Sequence, residues 1–124
     1  MHGHFDVEGG RESMHVLMRN CPDLTAVFAA SDEMAMGTIL AARDLGLSIP
    51  GDLSVIGIDG HDLGELVGLT TMAQPAIEEG ATAATLLLEM ITGGPVPTDV
   101  VYQTTLVERG STARALSASR LEQP

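Results

Sequence analysis

The chain has 124 residues, room for one domain, and a hydrophobic content of 44% that excludes a wholly disordered polymer. Seventeen acidic residues face six basic ones, all arginine, for a formal net charge of −11, so these residues should repel a phosphate backbone rather than bind DNA or RNA themselves. The single cysteine, Cys21, excludes an internal disulfide and a multi-cysteine metal site, and no apolar run reaches the ~20 residues of a membrane-spanning helix.

The opening MHGHFDVEGG lacks the basic and apolar regions of a secretory signal, which makes the cytoplasm the expected location. Asp6 can cap a first helix running to about Asn20, with Gly10, Met14, Leu17 and Met18 on one face. Cys21-Pro22-Asp23 ends it, because proline disfavours helical geometry in the residue before it. A strand from Leu24 to Ala30 comes next and stops at Ser31-Asp32, either of which can cap a second helix that ends at Gly46. Ser48 to Asp52 reads as a turn, Leu53 to Ile58 as a second strand, and Asp62 to Val67 as a loop with a short helical piece. Leu69 to Ala73 reads as a short third strand. A third helix spans Ala76 to Thr92, apolar at Ile77, Ala81, Ala84, Leu88 and Ile91, and Gly93-Gly94-Pro95 stops it. The last strand covers Val100 to Val107, and from Ala113 the chain loses apolar periodicity and is expected to fray.

This order predicts an α/β fold, a partial open parallel sheet with flanking helices. Two parallel strands joined by one crossover helix bring their C-terminal ends to the same sheet edge, where ligands bind in open α/β folds. That edge gathers Ser31, Asp32 and Asp59. The second helix carries Met34, Ala35, Met36, Ile39, Leu40, Ala41, Ala42 and Leu45, which leaves almost no polar face. A helix apolar all round must be covered on all sides, here by a second copy of the protein or by another part of the same domain.

Catalytic and metal readings fail on spacing. Ser31 sits in Ala29-Ala30-Ser31-Asp32-Glu33, not between the glycines of a nucleophile elbow, so proximity to His61 does not make a hydrolase. His2 and His4 lie near the terminus, and neither His15 nor His61 has a companion at ligand spacing. Asp59-Gly60-His61-Asp62 resembles the start of a calcium loop, but Thr70 stands where the closing glutamate would be. No G-x-G-x-x-G opens a helix. A phosphoacceptor domain needs a lysine, and the chain has none. Neither a metal nor a cofactor is therefore expected. What remains is non-covalent recognition: Asp59 can accept hydrogen bonds from hydroxyls, Ser31 can give or take one, and Phe5 offers an apolar ring. Core packing is the competing role for Phe5, and helix capping for Asp32.

Three segments carry a family resemblance. Ala29-Ala30-Ser31-Asp32-Glu33-Met34-Ala35, then Gly46 through Asp59 (GLSIPGDLSVIGID), then Leu69-Thr70-Thr71-Met72-Ala73-Gln74-Pro75, resemble in order and spacing the C-terminal part of LacI/GalR transcription regulators, across roughly residues 3 to 112. The resemblance implies a periplasmic-binding-protein-like type I core whose two lobes close on a small molecule, often a sugar or nucleobase. It also implies a cytoplasmic homodimer of non-enzymatic regulators. On this resemblance Asp59 is the ligand-binding aspartate, with Asp32 beside it. Ser31 stands where many members have asparagine, Phe5 matches an aromatic that stacks on the ligand, and Gln74 falls at the crossing between lobes. The second helix, through Met36 and Leu40, and the loop residues Leu63, Leu66 and Val67 would form the dimer interface.

The chain also departs from the family pattern. The helix-turn-helix headpiece, hinge, most of the first lobe and the start of the second are not in it, so DNA would be reached only through a domain outside it. Residues 1–112 are then expected to form the C-terminal portion of the effector-binding and dimerisation domain, with a disordered tail over 113–124. Gly60 replaces an aspartate common in the family. The expected function is effector sensing and dimerisation in a DNA-binding regulator of a sugar-like small molecule. The alternatives are a solute-binding protein of a sugar uptake system and, more distantly, a phosphoacceptor.

Overall fold

Helix α1 (Val7–Asn20) starts where expected, because Asp6 is extended and its carboxylate accepts the Gly9 N–H at 2.7 Å. The structure is a computed structural model that describes residues 4–115. Strand β1 (Ala26–Phe28), helix α2 (Asp32–Asp44) and strand β2 (Ser54–Asp59) make the anticipated parallel unit, with Val27 opposite Val55. A 3-10 turn (Asp62–Gly64) leads to β3 (Thr70–Ala73), parallel to β2. Helix α3 (Ala76–Thr92) and strand β4 (Thr105–Val107) complete the order, and the sheet runs β1-β2-β3-β4.

The sheet is mixed rather than wholly parallel, since β4 pairs antiparallel to β3 with Ala73 opposite Thr105. The cause lies in α3, which leaves the sheet at the end of β3 and buries none of its residues. A helix that does not cross back over the sheet returns the chain to the edge it left, so the next strand must run the other way. The expected strand over Val100 to Val107 is correspondingly short. Val100, Val101 and Tyr102 instead line a cleft with Thr82, Ala83 and Leu86 of α3, and the Tyr102 hydroxyl bonds Thr82.

The core lies between α2 and one sheet face. Leu53, Val55 and Leu69 from the sheet layer are fully buried and share one cluster with Ala35, Ile39 and Ala42 of α2 and Met14 of α1. Helix α1 meets α2 backbone to backbone. A Cβ on Gly37 would overlap the Val7 carbonyl oxygen, and one on Gly10 would overlap the Met34 carbonyl oxygen. This contact answers the coverage question for α2: much of its apolar circumference is sealed by α1, within the same chain. Arg11 and Asp44 pair across the two helices at 2.7 Å, an exposed bridge that raises the guanidinium pKa but stabilises little. Met36, half-buried, and Leu40, exposed, remain as apolar positions on the outer side of α2.

Two apolar surfaces stay uncovered among the described residues. One is the far face of the sheet, where Phe28 is 64% exposed beside half-buried Ile56, Ile58 and Met72 and exposed Leu106. The other is α3, with Ile77, Leu88 and Ile91 in solvent. No described helix is long and apolar enough to cross a membrane.

After β4 the chain returns to the start of the sheet. Buried Ser111 wedges between β2 and β3: its carbonyl accepts the Val55 N–H at 2.8 Å, its hydroxyl donates to the Val55 carbonyl at 2.6 Å and accepts the Thr70 N–H at 2.7 Å. Ala113 continues the stitch by donating to the Ser54 hydroxyl. The remainder of the expected disordered tail, residues 116–124, lies outside the described residues. Because the α1–α2 contact leaves no space for a methyl group, Gly37→Ala should lower unfolding free energy by about 1–3 kcal/mol. Urea denaturation monitored by circular dichroism measures this, and an unchanged midpoint would disprove the tight crossing.

Candidate functional site

The C-terminal edge of the sheet assembles from three places: the β1–α2 junction, the end of β2 and the residue after β3. At the first, Ser31 is the helix cap. It is extended (φ −152°), nearly buried, and its hydroxyl oxygen accepts the Met34 N–H at 3.1 Å. That bond uses one of the two acceptor sites of the Ser31 oxygen and leaves its hydroxyl proton free for another partner.

Asp32 differs most from expectation. Expected on the edge as a ligand residue, it is fully buried below it, in the first turn of α2. The residue beneath it is Gly57, where any Cβ would run into Asp32 Oδ1. Asp32 Oδ2 accepts the His61 N–H at 2.7 Å, and Oδ1 has no hydrogen-bond partner among the described residues. It caps nothing and faces no solvent.

Asp59 is the exposed carboxylate of the edge. Its Oδ1 accepts from Gln74 Nε2 at 3.0 Å and its Oδ2 from the Asp32 N–H at 3.3 Å, while its carbonyl accepts the Gln74 N–H at 3.1 Å. The second of these places the charge at the N-terminus of α2, where the helix dipole favours an anion. The parallel register of β2 and β3 sets Asp59 opposite Ala73 and so delivers Gln74 beside it. Asp59 also adopts φ 134°, a conformation that costs a non-glycine residue about 1–3 kcal/mol and that concentrates at functional positions.

The next residue, Gly60, has φ 78°, and a Cβ there would lie 2.7 Å from the Ala73 Cβ and 2.9 Å from its Cα. A side chain at this position would therefore require β3 to move. His61 is absorbed by local structure, its Nδ1 accepting the Leu63 N–H at 3.1 Å to cap the 3-10 turn. A ring nitrogen used in this way is not a base for Ser31.

Phe5, one residue ahead of the α1 cap, is 71% exposed and packs in no core among the described residues. Helices α1 and α2 run side by side with the same polarity, Gly10 meeting Met34 and Arg11 meeting Asp44, so Phe5 lies at the Ser31 end of the helix layer. Of the residues expected at a subunit interface, Leu40, Leu63 and Leu66 are exposed, Leu66 by 81%. Val67 packs against the core and lines one cleft with Ile39 and Arg43, which brings its loop alongside α2. Gly57 and Thr71, whose hydroxyl accepts the Gly60 N–H at 3.3 Å, shape the edge but carry no motif that sequence reasoning could seize.

Residues 2–112 match the family described as the periplasmic binding protein-like domain. The HTH-type transcriptional regulator MalR of Streptomyces coelicolor is 44% identical over 117 residues, 92% of this chain and 33% of that protein. Among solved structures, a LacI family transcriptional regulator from Arthrobacter sp. FB24 in complex with lactose superposes with a TM-score of 0.79 at 33% identity, over 90% of this chain and 43% of that one. A LacI family regulator from Enterococcus faecium with bound ribose gives a TM-score of 0.75 at 36% identity, over 90% of this chain and 42% of that one. The chain thus spans about a third of the curated relative it matches. With its parallel β1-α2-β2 unit and strand-end aspartate in place, the chain belongs to the periplasmic-binding-protein-like domain family.

Proposed function

We propose that this chain is the effector-sensing and dimerisation portion of a cytoplasmic DNA-binding transcriptional regulator, and that its effector is a neutral sugar-like polyol read by Asp59. The observation that carries the reading is the exposed Asp59 carboxylate, held at a strained backbone position by Gln74 and by the N-terminus of α2. Each of its oxygens accepts one protein hydrogen bond, which leaves acceptor capacity on both for adjacent hydroxyls of a ligand. Phe5 supplies an apolar ring for the carbon face of such a ligand, Gln74 a second polar contact, and Ser31 a hydroxyl proton. Bound lactose and bound ribose in two similar regulators support the same ligand chemistry. No arginine stands among the described edge residues, and Asp59 and Asp62 make the edge acidic, so an anionic effector is disfavoured.

In this reading the edge is one jaw of a two-lobed site, and the second jaw belongs to the larger protein of which the relatives carry the full length. The effector shifts the equilibrium between open and closed lobes by binding one state more tightly. Met36, Leu40, Leu63, Leu66 and Val67 form the surface through which two copies associate, transmitting closure to the DNA-binding heads.

Asp59→Ala in the intact protein should weaken sugar binding by at least ~10-fold, since each hydrogen bond to a charged group contributes about 1.5–3 kcal/mol. Operator binding without sugar should persist. Calorimetric titration with neutral mono- and disaccharides measures this, and an unchanged affinity would remove Asp59 from the site. Phosphorylated derivatives of whichever sugar binds should bind at least ~10-fold more weakly than the parent, from like-charge repulsion near the carboxylate. For the interface, Leu40→Asp with Leu66→Asp should convert dimer to monomer in sedimentation equilibrium. Persistence of the dimer would place the contact elsewhere.

A further inference from the structure

We propose that Asp32 is a positioning residue for effector recognition: it touches no ligand, but it fixes the turn that aims the Asp59 carboxylate. This rests on the reading of Asp59 as the effector-binding group. Asp32 is an anomaly, a fully buried carboxylate with one oxygen lacking any hydrogen-bond partner among the described residues. Leaving such an atom unpaired is costly, and an apolar residue in the first turn of α2 would avoid the cost. What the carboxylate supplies in return is visible at its other oxygen, which accepts the His61 N–H at 2.7 Å.

Asp32 grips the turn on both sides of its strained pair. Its backbone N–H donates to Asp59 Oδ2 and its side chain holds the His61 N–H, bracketing Asp59 at φ 134° and Gly60 at φ 78°. Further supports come from the β3 side, through Thr71 and Gln74. Asp32 is the anchor from α2. Two consecutive positive-φ residues relax when one anchor is lost, and the first atoms to move are those of the Asp59 carboxylate.

Gly57 provides an independent handle. It lies on β2 two residues before Asp59, and only the absence of its side chain makes room for Asp32 Oδ1. Gly57→Ala therefore displaces the Asp32 carboxylate without altering its chemistry, its Cβ also standing 3.2 Å from the Asp32 Cα and the Ala35 Cβ.

The test compares Asp32→Ala, Asp32→Asn and Gly57→Ala in the intact protein. Three quantities are read: amide hydrogen exchange at His61, sugar affinity by calorimetry with the neutral saccharide bound by the wild type, and operator affinity without sugar. Asp32→Ala should speed His61 exchange and weaken sugar binding, each by at least ~10-fold, with operator affinity held within about threefold. Asp32→Asn keeps an acceptor for the His61 N–H and should restore both to within about threefold of wild type. Gly57→Ala should reproduce the alanine phenotype, and it carries the test if Asp32→Ala does not fold. Lost His61 protection with unchanged sugar affinity overturns the positioning role and leaves Asp59 as the effector-binding group. An asparagine variant as impaired as alanine, with altered sugar preference, overturns it in favour of direct contact. A wild type that binds no neutral saccharide overturns both readings.

Discussion

The seat of α2 at the C-terminal edge of the sheet rests on how closely α1 approaches it. Gly10 and Gly37 let the two backbones touch, and α2 shares one core cluster with the sheet and with Met14 of α1. With α2 seated there, its N-terminus lies over the end of β2, and Asp32 drops onto Gly57 while its N–H reaches Asp59. A helix held a few ångströms higher would leave Asp59 without the dipole that favours its charge and would open the space that Asp32 fills. Gly10 lies directly behind the first turn of α2, on Met34, whose N–H Ser31 caps.

The electrostatics of the edge stem from that placement. Two carboxylates within one turn of a helix N-terminus repel each other, and the fold separates them by environment. Asp32 is turned inward to a backbone N–H, and Asp59 is turned outward, balanced by an amide from Gln74 and an N–H from α2. Amides rather than cations hold both groups among the described residues. The edge therefore carries a carboxylate with acceptor capacity to spare, set on a strained turn.

Much of this was legible in the residues. Asp6 announces α1, and Pro75 with Gly93 brackets α3 at the bounds observed, because caps and breakers act through local geometry. The aspartate at the end of β2 stands out because a charged residue closes an apolar run. What stayed illegible depends on contacts between residues distant in sequence. Ser31 and Asp32 are equally good caps on paper, and the inward turn of Asp32 depends on distant residues, the space at Gly57 and the His61 N–H. The direction of β4 depends on α3 failing to cross the sheet, which no periodicity in α3 records. Gly60 is readable only as a missing aspartate until Ala73 is seen pressed against it. The apolar circumference of α2 pointed equally to a second copy and to another part of the same domain, and the glycines through which α1 covers part of it carry no hydrophobic signal.

The open face of the sheet gives the net charge a second meaning. Phe28, Ile56, Ile58, Met72 and Leu106 form an apolar surface that crosses all four strands, at the side of a β1 edge that no described strand pairs. Such a surface on an isolated chain favours association, and mutual repulsion among molecules carrying a charge of −11 opposes it. Protonating the carboxylates removes that repulsion while leaving the apolar face unchanged. Association of the isolated chain through this face should therefore rise as the carboxylates are protonated and as salt screens them.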